Sequence, residues 1–277
     1  MIPVLKLELK RAFTGKGFWT AVMAGLVLTM SQLFQMWERI RRFLALQEQI
    51  GTGLSYISES AFHMSFGFDF DFSGRTLYYY LVPLLAVFPH AASYLSDRKQ
   101  GYIKNILTRT EKTHYYHAKY FAIFLSGGSA VVLPLILNLL GVMLIGPVKN
   151  WDIISNPYTI QTNFAYSRLL IDHTICYILM YFGITFLFGG AFALLSLVVS
   201  QWSDFRFSVW TLPFLVGLIL HEVGNVIHNH RFVPASLMSM LQQAAPLDMR
   251  IVMLEVGISA FLCYVSFCII EPRKEVF

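Results

Sequence analysis

The segment His221-Glu222-Val223-Gly224-Asn225-Val226-Ile227-His228-Asn229-His230 gathers ionisable side chains within apolar surroundings. Its start approaches H-E-x-x-H, in which two imidazoles one helical turn apart hold Zn²⁺ and the glutamate acts as general base. Asn225 stands where the second imidazole belongs. His228 lies two turns beyond His221, so the two reach one ion only if the helix breaks between them. A zinc protease using His221, Glu222 and a further histidine is therefore carried as an alternative. The main expectation is that His221, Glu222, His228 and His230 line a wet outer vestibule, because ionisable groups near a bilayer face protein or water.

A second segment, Ser96-Asp97-Arg98-Lys99-Gln100-Gly101-Tyr102-Ile103-Lys104-Asn105-Ile106-Leu107-Thr108-Arg109, is basic and amphipathic. On a helix over 97–109, Tyr102, Ile103, Ile106 and Leu107 form an apolar ridge, while Arg98, Lys99, Lys104 and Arg109 form a cationic face. Such a ridge rests on lipid or seats in a groove on a soluble partner. No G-x-x-x-x-G-K-[ST] phosphate loop is present: Thr14-Gly15-Lys16-Gly17 lacks the glycine-rich lead and the hydroxyl that holds Mg²⁺. Energy from ATP would have to come from another chain. The cysteines, Cys176, Cys263 and Cys268, lie in apolar runs without a C-x-x-C pair and read as small packing residues.

The elements that must position these groups are membrane helices. Of 277 residues, 56% are hydrophobic and only 13% charged, where a soluble domain carries about 25% charged residues. A hydrocarbon core of about 30 Å needs roughly 20 helical residues. Uncharged or nearly uncharged runs of that size occupy 17–37, 76–95, 121–145, 175–199, 207–227 and 251–270. Trp19 and Trp37 stand near the ends of the first as interfacial anchors. Gly127-Gly128 and Gly189-Gly190 are set for close helix packing. Residues 1–16 read as a short amphipathic helix on the membrane surface, with Leu5, Leu9, Ala12 and Phe13 inward. Residues 66–72 alternate aromatic and polar side chains, as a short strand or an interfacial loop would. Pro234 and Pro246 bound a weakly apolar segment between the fifth and sixth runs.

With the N-terminus inside, 13 of the 21 Lys and Arg residues fall in inner connections and 8 in outer ones, although Arg39, Arg41 and Arg42 lie outside. The positive-inside rule then places both termini in the cytoplasm. The net charge of +5 reads as orientation and gives no reason to expect a nucleic-acid partner. The expected fold is one all-α integral membrane domain of six transmembrane helices, N-in and C-in. It carries an amphipathic N-terminal helix and a cytoplasmic helix at 97–109.

The segment after the second run resembles a motif of the ABC-2 type permeases, the membrane subunits of ATP-binding-cassette exporters. Asp97 stands at that motif's acidic position, Arg98 at its basic one, Gly101 at its glycine, Ile106 and Leu107 at its apolar pair and Lys119 at its closing lysine. Asp replaces the more usual Glu, Tyr102 replaces Thr, and no proline precedes Lys112. Leu7-Glu8-Leu9-Lys10-Arg11 is similar to the family's N-terminal helix. The resemblance implies a transporter subunit rather than an enzyme. Asp97, Arg98, Gly101, Tyr102, Ile103, Ile106 and Leu107 would form a coupling helix that contacts two separate ATPase subunits. The cofactors, ATP and Mg²⁺, would be held by those partners and none by this chain. It further implies pairing with a second copy or a sister permease, a re-entrant outer hairpin between the fifth and sixth helices, and a bacterial plasma-membrane setting. The cargo would be a peptide, a drug or a lipid-like molecule, moving along a path near Gln32 and Gln35. A non-transporting adaptor or immunity subunit would share the docking segment without the flux.

Overall fold

The computed structural model describes residues 2–50, 60–69, 72, 74–108, 110–151 and 164–271. Phe70, Asp71, Arg109, Pro157, Arg273 and Lys274 lie outside the described residues. Every regular element among those described is helical. Five helices are long and apolar enough to cross a membrane: Lys16–Leu46, Lys112–Ile145, Thr174–Trp202, Arg206–Val226 and Met249–Ile270. They belong to α2 (Lys16–Ile50), α6 (Lys112–Ile145), α8 (Thr174–Trp202), α9 (Arg206–Val226) and α11 (Met249–Tyr264, continued by a π-helical turn at Val265–Ile270). Outward faces of α2, α9 and α11 expose Val27, Phe34, Leu215, Ile219, Leu254 and Phe261. A surface of that kind marks contact with lipid or with another protein, which is consistent with a membrane protein.

The centre of the bundle is the α6–α8 pair. α8 is apolar around its whole circumference and buried over much of its length, as expected of a helix with neighbours on every side. The two axes come close because Gly127 has no side chain: a Cβ there would stand 2.5 Å from the Ala193 Cβ. Small residues at the crossing replace hydrophobic drive with dense van der Waals contact.

The expected second span, 76–95, is divided. α3 (Gly74–Val87) has 14 residues, about 21 Å at ~1.5 Å each, and stops before Pro89. Proline donates no backbone N–H and disfavours helical geometry at the residue before it, here Phe88. The chain turns through residues 88–92 and resumes as α4 (Ser93–Lys99). The expected single helix at 97–109 is divided as well. α4 ends at Lys99 and α5 (Tyr102–Leu107) follows, with Gly101 between them at φ 68°, in the left-handed region that suits glycine.

The N-terminal amphipathic helix is α1 (Ile2–Thr14), and it packs on α6. Its buried line is Val4, Glu8 and Ala12, one residue round the wheel from the expected stripe, so Leu5, Leu9 and Phe13 are half-buried. Residues 61–68 fold into successive turns, held by bonds such as Phe68 N–H to the Ser65 carbonyl, and form no strand. The Asn138 side chain accepts the Phe66 N–H, giving this backbone a partner without a sheet. Between α7 (Ser167–Asp172) and α8 the helix breaks at His173. After α9 a left-handed residue, His228, turns the chain into α10 (Pro234–Met238), which packs on α3, α8 and α9.

Candidate functional site

α1, the turn before α4, α4 itself and α6 converge on a buried ionic cluster. Glu8 is 0% exposed, Lys119 0% and Asp97 2%. Lys119 Nζ donates to Glu8 Oε2 at 2.9 Å and to Asp97 Oδ2 at 2.6 Å. Arg11 spans the same two carboxylates, with Nη1 at 2.8 Å from Glu8 Oε1 and Nη2 at 2.8 Å from Asp97 Oδ1. The Tyr115 hydroxyl donates to Asp97 Oδ2 at 3.0 Å, and His90 Nε2 lies 3.0 Å from Glu8 Oε2. Two carboxylates thus sit between two cations, with an imidazole and a phenol at the edge. A buried carboxylate is tolerable only when its charge is matched and its lone pairs are filled, and both conditions hold here.

Local sequence accounts for part of this arrangement. Glu8 sits one turn from both Val4 and Ala12, which puts a carboxylate on the buried line of α1. His90 lies buried in the turn that follows the end of α3. Lys119 lies two turns into α6, which begins at Lys112. Burial pushes the Glu8 carboxyl up, but the His90 hydrogen bond and the Lys119, His90 and Arg11 charges outweigh it and hold the group well below the usual carboxylate range. Burial likewise opposes the Arg11 charge, and the Asp97 hydrogen bond with the Glu8 and Asp97 charges overcomes it, raising Arg11 above its ordinary value.

The rest of α4–α5 is tied down at both edges. The Arg11 guanidinium lies 4.8 Å from the Tyr102 ring centroid. Arg98 donates to the Gln201 carbonyl at 2.7 Å and to Asp204 Oδ1 at 2.6 Å, and Lys99 donates to the Asp204 carbonyl. Arg206 in turn reaches Ser96. The connection between α8 and α9 is therefore bound to α4. Ile103 is buried in an apolar cluster with Tyr94, Tyr115, Tyr116 and Phe267, and Ile106 and Leu107 pack against its edge. The ridge expected to be open is thus largely seated on the chain's own α6 and α11. Gly101 and Tyr102 are half-buried, and Lys104, Asn105 and Thr108 are exposed.

The second group of expected site residues separates. His221 and His230 come together with ring centroids 6.0 Å apart, and the Tyr80 hydroxyl bonds His221 Nε2 at 2.7 Å. Glu222 is exposed on another side of α9, where Asn225 donates to it, and His228 is exposed at the turn. Among the described residues, no three His, Cys, Asp or Glu side chains stand close enough to share a metal ion. Gln32 is buried and fully engaged: Nε2 donates to the Met64 carbonyl and to Asp69 Oδ2, and Oε1 accepts from Asn138. Gln35 is exposed.

The chain has no match. No family model, curated protein or solved structure corresponds to it. What it does must be read from its own geometry, and there the ionic cluster stands out. Glu8, Arg11, His90 and Tyr115 are members that the chemistry of local motifs passes over. The signal for Glu8 is a carboxylate spaced with Val4 and Ala12. Arg11 and His90 show themselves only once residues 82 to 86 positions apart in the chain are brought together, and Tyr115 only once α6 packs beside Asp97, 18 positions back.

Proposed function

We propose that the chain is the membrane-embedded permease subunit of an ATP-driven exporter of the ABC-2 kind, with α4–α5 as the element on which a separate ATPase bears. The observation that carries this reading is the buried cluster beneath that element. Through Asp97, Lys119, Glu8 and Arg11 it joins α4 to α1 and α6, and through Arg98 it reaches the α8–α9 connection. A force applied at the exposed side of α5 would pass through Ile103 to α6 and Phe267, and across the Gly101 turn to α4 and the α8–α9 connection. A surface loop that only obeyed the positive-inside rule would have no need of such bracing.

In this reading the chain crosses the membrane six times with both termini in the cytoplasm. α3, the Pro89 turn and the first residues of α4 together make the second crossing, and the segment containing α10 forms the outer hairpin. Asp97 and Ile103 act as inward anchors of the coupling element. Gly101, Tyr102 and the edge of Ile106 and Leu107 border the face left for the partner. Two ATPases supply ATP and Mg²⁺, and a second copy or sister permease completes the path for a peptide, drug or lipid-like cargo at a bacterial plasma membrane. His221 and His230 stand by the outer mouth.

The test is co-purification and stimulated ATP hydrolysis with the partner ATPase for Gly101→Glu and Ile106→Glu. No atom lies within 4 Å of a Cβ at Gly101, so its substitution perturbs that face and the backbone without a clash. Loss of association or of stimulation is expected. Unchanged values for both would sink the assignment, while intact association without ATP-dependent flux would favour an adaptor or immunity subunit.

A further inference from the structure

At the far end of α3 from the ionic cluster lies a cavity of about 140 Å³, lined among others by Arg75, Tyr79, His230, Ser236 and Gln243. Arg75 is 5% exposed and Tyr79 3% exposed. Arg75 Nη2 donates to Gln243 Oε1 at 3.1 Å. Arg75 Nη1, the Tyr79 hydroxyl and His230 Nδ1, all buried atoms, have no hydrogen-bond partner. Asp69, which acts on Arg75 at longer range, is already held by Arg39 at 2.7 Å and Gln32 at 2.9 Å. A guanidinium taken out of water with a neutral amide as its close partner is costly unless something anionic joins it.

We propose that this cavity binds a phosphate group, with Arg75 Nη1 and the Tyr79 hydroxyl as charge-assisted donors and His230 as a third. The set is rich in donors and carries permanent positive charge. Its members come from α3 and from the turn after α9, and all three residues line the same cavity, which suits a group with three or more oxygens. A planar neutral ligand would leave the cation uncompensated. The phosphate comes either as the free ion or on a phospholipid headgroup, since α3 and α9 also expose apolar surface, at Leu77 and Ile219 among others. None of this depends on an ATPase partner.

The experiment uses the full chain in maltoside micelles and reads the thermal unfolding midpoint. Sodium phosphate is compared with sodium chloride at equal ionic strength, and phosphatidic acid is added in a second arm with native mass spectrometry to count bound lipid. A ligand that binds only the folded chain raises the midpoint with its concentration. Phosphate stabilisation at millimolar concentration assigns the free ion, and stabilisation by phosphatidic acid alone assigns the headgroup. Arg75→Gln is expected to abolish the effect. Should that variant fold poorly, Tyr79→Phe decides, because its hydroxyl has no partner to lose in the free protein. Tyr79→Phe should keep the unliganded midpoint and weaken binding by about tenfold or more. No stabilisation in either arm, or an unchanged affinity in Tyr79→Phe, overturns the proposal.

Discussion

Replacing Lys119 by methionine keeps the length and apolar stem of the side chain and removes one charge. The cluster then holds Glu8 and Asp97 against Arg11 alone, with His90 at its edge, so one buried carboxylate loses its counterion. Removing one partner of a buried ion pair costs about 3–5 kcal/mol, because the remaining charge stays out of water. At ~1.4 kcal/mol per factor of ten, the folded-to-unfolded ratio falls by roughly two to three and a half powers of ten. Adding Glu8→Gln to Lys119→Met restores the balance, since Asp97 keeps Arg11 and Tyr115. The double variant should therefore be more stable than the sum of the singles by ~1–3 kcal/mol. The assay is equilibrium unfolding in mixed micelles for the wild type, both singles and the double. If Lys119→Met lies within ~0.5 kcal/mol of wild type, as a surface change would, or if the two substitutions add, the charges are not coupled and the bracing role fails.

Two further outcomes follow from the same geometry. The Glu8 carboxyl is held below its ordinary 4.5, so its contribution to stability is present above that value and is lost as the pH falls through the folded-state value. Wild type should lose unfolding midpoint on acidification below about 4.5, and Glu8→Gln, measured across the same range, should show a shallower loss. Gln32→Leu leaves Asp69, the Met64 carbonyl and Asn138 each short of a partner. At ~1–3 kcal/mol for an orphaned buried group, it should destabilise the chain well beyond Gln35→Leu, by thermal unfolding.

The long helices were legible because the requirement they meet is local: some twenty apolar residues in a row, bounded by charge. α6, α8, α9 and α11 fall where the runs at 121–145, 175–199, 207–227 and 251–270 placed them, with ends that extend into the flanking polar residues. The run at 76–95 reads as one helix rather than two because hydropathy counts Pro83 and Pro89 as merely non-polar, whereas α3 stops just before Pro89. Gly101 broke 97–109 for a related reason, a backbone preference that an amphipathic wheel ignores. For the candidate site, the motif pointed to Asp97 and Lys119 but not to each other. Their partnership, and that of Glu8 with both, depends on helix docking that no local pattern encodes. The direction of the apolar ridge was likewise hidden. Ile103 could face a partner or its own chain, and only the position of Phe267, far along the sequence, decides between them.

The spacing of the cluster along the chain also bears on how the protein is made. Glu8 and Lys119 are 111 residues apart, so a ribosome adding about 5–20 residues per second needs roughly 6–22 s to deliver the lysine after the glutamate. During that interval Glu8 has Arg11, on its own helix, as its ready counter-charge. α1 therefore waits at the water boundary, and its docking on α6 becomes a late step of assembly, taken when the third long apolar run emerges. Premature burial is discouraged by the same carboxylate that later locks the helix in place.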